Sequence, residues 1–211
     1  MPGFRAYVND MKKTRLPLAL LLSAALALPA SAKVPLDRIS AWLNGFETAE
    51  AKFTQVNGDG SVSTGKLYIR RPGRMRFEYD PPEPALVVAG GGQVAVFDTK
   101  SNLPPEQFPL RQTPLSVILA RKVDLGASGR VISHFAKDGK TTVVVQDPEQ
   151  PGQGHIQLIF SESPVELRQW IVMDGTGTET TVILGELRRG VDIPARHFNI
   201  VQEMQRLGLS E

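Results

Sequence analysis

The stretch from Lys66 to Pro82 constrains the fold more than any other part of the chain. Apolar and polar residues alternate on both sides of Pro72-Gly73, which predicts two antiparallel strands joined at a turn, because successive strand side chains point to opposite faces. Leu67, Ile69, Met75, Phe77 and Tyr79 fall on the odd positions. Lys66, Tyr68, Arg70, Arg74, Arg76 and Glu78 fall on the even ones, which we read as a solvated face. If the turn keeps this parity, Arg71 joins the apolar face; one extra residue in the turn would reverse it. A guanidinium in that position keeps its proton and brings five donors to satisfy. It therefore requires a partner, or a cavity that opens to one.

The start of the chain predicts export. Met11-Lys12-Lys13-Thr14-Arg15 is basic, residues 16–28 are apolar, and Ala30-Ser31-Ala32 is a small-residue cleavage pattern. We expect residues 1–32 to be a cleaved signal peptide, with Met1 or Met11 as the start, and residues 33–211 to form a single domain. The apolar run falls short of the roughly 20 residues that span a bilayer. Of 24 basic and 22 acidic residues, Arg5, Lys12, Lys13, Arg15 and Asp10 lie in the signal. The remainder is nearly neutral, which argues against nucleic acid as a partner. The chain contains no cysteine. Disulfides, thiol catalysis, thiolate metal sites and acylation at a cysteine are thereby excluded. The expected product is soluble, periplasmic and monomeric.

Helical spacing of Leu36, Ile39 and Leu43, ended by Asn44-Gly45, predicts an N-terminal helix. Alternation predicts strands over 49–56, 85–89 and 93–98, and then over 130–136, 141–146, 156–160, 167–172 and 178–184. Gly90-Gly91-Gly92 is expected to make a tight turn, since a phosphate loop would need a lysine and a helix after it. Residues 101–112 are expected to be a loop. Thr113 as N-cap and Pro114 at the first position predict a short helix over 113–122. Its Leu115, Ile118 and Leu119 share one face, which suits a lid. The fold class is mainly β, with some ten strands in an antiparallel sheet curling into a barrel.

Catalytic and metal motifs are missing. His134, His155 and His197 lack ligand spacing, and there is no nucleophile elbow or dinucleotide fingerprint. No catalytic residue, metal or cofactor is assigned, and an esterase has no nucleophile to work with. Binding remains.

Several motifs in order then resemble the LolA family of periplasmic lipoprotein carriers. They are Phe53-Thr54-Gln55, Gly65 through Ile69, Arg71 through Tyr79, Pro82, Val87-Val88, Gly92, Val94, Thr113-Pro114-Leu115 with Leu119, Asp174, Gly177 and Thr180-Thr181-Val182. The resemblance implies an unclosed antiparallel barrel, helices over it, and an apolar cavity for acyl chains. It implies that Arg71 is a latch bonded to lid backbone. The cavity would be lined by Leu67, Ile69, Met75, Phe77, Tyr79, Val88 and Val96, under a lid helix bearing Leu115, Ile118 and Leu119. Met75 stands where the family commonly has an aromatic, which softens the lining. Residues 196–201 correspond loosely to the family's last strand, with a short helical tail after them. The implied partners are acylated lipoproteins, an inner-membrane Lol ABC transporter and a LolB-like receptor at the outer membrane where one exists. A binding module for a glycolipid or other amphiphile, or a sensor of lipoprotein stress, is the competing reading.

Physics makes such a carrier necessary. Three acyl chains of about 16 carbons, at about 0.8 kcal/mol per CH₂, represent tens of kcal/mol of exposure in water. A carrier must also release its load, so we expect closure by weak, exchangeable contacts and not by a deep apolar seal.

Overall fold

Residues 33–82, 85–98, 100–126 and 129–209 are described by a computed structural model; the expected signal peptide lies outside them. Helix α1 (Leu36–Asn44) precedes β1 (Thr48–Val56), β2 (Val62–Arg70), β3 (Arg74–Tyr79), β4 (Ala85–Gly90), β5 (Gln93–Asp98) and β6 (Glu106–Pro109). A 3₁₀ turn (Leu110–Gln112) and the short α2 (Ser116–Leu119) lead to β7 (Val131–Lys137), β8 (Lys140–Gln146), β9 (Gly154–Glu162), β10 (Val165–Asp174) and β11 (Glu179–Leu184). The two-residue β12 (Arg188–Arg189), a 3₁₀ turn (Ala195–Phe198) and α3 (Ile200–Arg206) complete the described chain. All twelve strands among the described residues join one antiparallel sheet in the order β6-β5-β4-β3-β2-β1-β11-β10-β9-β8-β7, with β12 beside β1. Hairpins make every contact along this path except β1 with β11, which joins the two halves. Strands β6 and β7 remain as free edges, so the curved sheet is unclosed.

The β2–β3 hairpin answers the parity question. Ile69 pairs with Met75, Leu67 with Phe77 and Arg70 with Arg74, leaving Arg71-Pro72-Gly73 as a three-residue turn. Leu67, Ile69, Met75 and Phe77 thus share the inner face, and Arg71 is buried at its end. Opposite them, Trp170, Ile156, Leu158 and Phe160 of the other half fill the interior, and α1 adds Ile39 and Leu43. Gly65 is required here: a Cβ would lie 2.1 Å from the Glu78 carbonyl oxygen and 2.8 Å from the Phe53 ring.

Local structure departs from expectation in three segments of the chain. The segment 101–112 is not all loop, because residues 106–109 pair with β5 as an edge strand. The helix expected over 113–122 contracts to one α-turn. Thr113 Oγ1 donates back to the Leu110 carbonyl, Ser116 N bonds Thr113 O in an i to i+3 pattern, and the backbone turns extended at Ala120. Arg121 and Lys122 therefore lie past the helix. No strand forms over 196–201; the chain turns there into a 3₁₀ turn and α3, whose Asn199 side chain accepts from Gln202 N.

The even face of β2–β3 is solvated only in part: Lys66 is exposed, but this C-terminal segment folds across the rest. Arg76 is buried and donates to Glu78 Oε1 at 2.7 Å, to Glu203 Oε2 at 3.2 Å and to the His197 carbonyl at 3.2 Å. Arg70 Nη1 donates to the Ile193 carbonyl at 2.7 Å, and the Tyr68 ring meets the His197 ring edge-on. Beside them Leu86, Val88, Ala95 and Phe97 pack with Ile200 in a second apolar cluster, backed by Met204 and Leu207.

Burial pushes the Glu203 carboxyl up, but the hydrogen bonds and charges of Arg206 and Arg76 outweigh it and hold the group below its ordinary 4.5. A depressed folded value means stability present above pH 4.5 and lost as pH falls through that lower value. Denaturant titrations across pH 7 to 3 should show wild type losing its advantage over Glu203→Gln in that acidic window. An advantage unchanged at the lowest pH would rule this out.

Candidate binding cavity

Arg71, at the end of the inner face, is 4% exposed. Its guanidinium donates through Nη2 and Nε to the Ala120 carbonyl at 2.6 and 3.2 Å, and through Nη1 to the Leu43 carbonyl. Nη2 also reaches Asn44 Oδ1 at 3.2 Å. Gly73 N donates to Leu119 O at 2.9 Å. The hairpin turn, the end of α1 and the segment after α2 are thus tied at one point. Burial lowers the Arg71 value, yet a guanidinium stays charged in any protein setting. Its ring neighbour is Phe46, 5.8 Å from the guanidinium carbon.

The segment from Leu110 to Leu125 spans the interior as a strap. Ile118, Leu119, Val123 and Leu125 are buried in the main core. This overturns the expectation of closure by weak contacts alone: a polar clasp holds the strap's end, but an apolar plug seals the interior beneath it. The reason is length. One helical turn followed by extended chain can drop four apolar side chains inward where a longer helix would rest on the rim.

Beside the plug an apolar cavity of about 560 Å³ opens to solvent. Phe77, Tyr79, Val87, Trp170, Val182 and Leu115 form its wall, with Phe108 at the mouth. The aromatic wall is built edge to face, Phe77 lying 6.2 Å from Trp170 and Phe53 lying 5.1 to 5.2 Å from Tyr79 and Phe77. Burial pushes the Tyr79 phenol up to about 12, so it stays neutral and donates to Gln55 Oε1 at 2.7 Å. Among the described residues that line the cavity the one carboxylate, Asp174, is held below its ordinary value first by the Thr176 hydroxyl and then by neighbouring amides. It remains outside the apolar wall.

Of the residues singled out from sequence, Phe77, Tyr79 and Leu115 border this cavity. Leu67, Ile69, Met75, Ile118 and Leu119 sit deeper, in the closed core. Val96 is on the inner face opposite Val87 but 38% exposed, outside the wall. Val88 is a correction: it points to the outer face and packs in the second cluster, so its neighbour Val87 takes the wall position. Sequence reasoning missed Trp170, Val182 and Phe108. Alternation in β11 puts Val182 with Leu184 on its buried side; in β10 a register shift between Leu167 and Gln169 breaks the alternation and hides Trp170, and Phe108 lies between prolines and carries no such signal. Among the described residues no three His, Asp or Glu side chains gather as a metal site. No described helix is long and apolar enough to cross a membrane.

A family model described as "Outer membrane lipoprotein carrier protein LolA" matches residues 44–201. A curated relative from Chromobacterium violaceum, named outer-membrane lipoprotein carrier protein, is 23% identical over 186 residues, covering 85% of this chain and 89% of its own. One of the same name from Chromohalobacter salexigens is 26% identical over 192 residues, covering 85% and 90%. Among solved structures, a LolA superfamily protein from Nitrosomonas europaea matches 79% of this chain and 98% of its own, at 10% identity and a TM-score of 0.40.

Proposed function

Because this chain belongs to the LolA family of outer membrane lipoprotein carrier proteins, we propose that it carries lipoproteins across the periplasm, shielding their acyl chains in the cavity beneath the strap. It would collect them from an inner-membrane Lol ABC transporter and pass them to the outer membrane, through a LolB-like receptor where one exists. The signal over residues 1–32 would deliver it there. The observation that carries this reading is an open apolar cavity bordered by the strap, whose apolar side chains fill the interior beside it.

Capacity supports the same reading. A methylene needs about the room of a water molecule, about 30 Å³, so one chain of about 16 carbons fills most of 560 Å³. Further chains must displace Ile118, Leu119, Val123 and Leu125. Each of these side chains contributes about 1.5–3 kcal/mol by its burial, against tens of kcal/mol for the acyl chains. Cargo therefore displaces the plug, and the plug's return lowers the net affinity enough for release.

The mature protein, incubated with spheroplasts, should release a newly made lipoprotein into solution as a stable complex. Lipoprotein left on the membranes, with a glycolipid copurifying instead, would assign the cavity to that other amphiphile.

A further inference from the structure

The strap is held by more than Arg71. Asn44, the last residue of α1, bridges Val123 in both directions: Nδ2 donates to Val123 O at 2.7 Å and Oδ1 accepts from Val123 N at 2.9 Å. The same Oδ1 receives Arg71 Nη2. One turn earlier on the helix, Ser40 Oγ accepts from Leu125 N at 3.0 Å. Helix α1 thus presents a side-chain ladder to an irregular backbone segment, which the rest of the sheet does not pair.

A side-chain amide supplies one donor and one acceptor at fixed spacing, and here both match one residue's backbone as a neighbouring strand would. Without this bridge the buried Val123 would leave an amide and a carbonyl unsatisfied at the edge of the core. Solvent reaches both sides of the junction. A cleft of about 400 Å³ borders Asn44, Arg71 and Arg121, and one of about 360 Å³ borders Val117, Ala120 and Val123. Water can therefore replace each bond as the strap leaves, so the junction can open without stranding polar groups.

We infer that Asn44 is the positioning residue of the closure: it orients Arg71 towards Ala120 and holds the strap at Val123, so that the two bonds open and close as one unit. This inference rests on the carrier reading for its purpose but not for its test. The bridge makes Arg71's partner dependent on where Val123 sits, and so couples the clasp to the plug.

The test compares amide hydrogen exchange and release of dansylundecanoate in the mature wild type, Asn44→Ala and Asn44→Asp. Val123 loses its own acceptor in Asn44→Ala, so the informative amides are Leu125 and Gly73, whose acceptors Ser40 and Leu119 remain. Both should exchange at least about tenfold faster relative to amides of β9, and the probe should leave more slowly because the plug competes less. Asn44→Asp keeps an acceptor for Arg71 but loses the donor to Val123 O, so Leu125 should loosen while Gly73 stays protected. Exchange that rises equally in β9, or that leaves Leu125 and Gly73 unchanged, would overturn the inference. Neither readout involves a lipoprotein. Failure of spheroplast release would thus count against the carrier reading alone, and uniform exchange with release intact would count against Asn44 alone.

Discussion

Trp170→Ala should lower the unfolding free energy by about 3–5 kcal/mol and change the affinity of the cavity for an amphiphilic probe. Trp170 is among the largest fully buried side chains, and it faces Phe77 across the interior at 6.2 Å. Its loss removes a large apolar contact and joins the vacated space to the existing cavity. Because that space opens to solvent, part of the cavity cost is relieved by filling, and a saturating probe should restore stability by mass action, about 2.7 kcal/mol at 100 times Kd. Phe97→Ala is the matched control. Phe97 is equally buried, but in the cluster under α3 on the outer face. It should cost a similar amount in denaturant and leave probe affinity unchanged. If Phe97→Ala shifts the affinity as far as Trp170→Ala does, the inner face is not the binding face.

The contrast between these two aromatics shows what was legible in the sequence. Strand alternation around Pro72-Gly73 placed Leu67, Ile69, Met75 and Phe77 on one face, and the observed pairing of Ile69 with Met75 agrees. Period-two patterning is local, so it survives without knowledge of the rest of the fold. It says nothing about what covers each face. Arg76 looked solvated because its cover, Glu203 and the His197 carbonyl, lies more than 120 residues away. Val88 looked like cavity wall for the same reason: in an apolar run such as 85–89 both faces are hydrophobic, and only α3 decides which one is inside. Tertiary contact also overrode local propensity in the strap. Thr113-Pro114 carries a strong helix-start signal, yet the segment makes one turn and then extends, because four apolar side chains gain more from entering the core than from lining one side of a helix.

Arg71→Leu should loosen that strap. The substitution removes every bond from the turn to the Leu43 and Ala120 carbonyls and to Asn44, while Gly73 N still reaches Leu119 O. Hydrogen bonds from a charged donor are worth about 1.5–3 kcal/mol each, and water entering from the adjoining cleft recovers part of the loss. A net loss of about 3 kcal/mol for the closed state would shift the balance between closed and open strap by a factor above 100. On the carrier reading proposed above, closure competes with acyl chains for the interior, so the variant should hold cargo more tightly and deliver it more slowly. Uptake from spheroplasts should persist while transfer to acceptor membranes fails. Arg70→Leu, one residue away, loses a bond to the Ile193 carbonyl on the outer face and should transfer cargo almost as wild type does. The two arginines differ in position by one residue, and so by face. Equal transfer defects in the two variants would mean that the strap is not controlled from the inner face, and that the clasp at Ala120 holds the fold together without gating it.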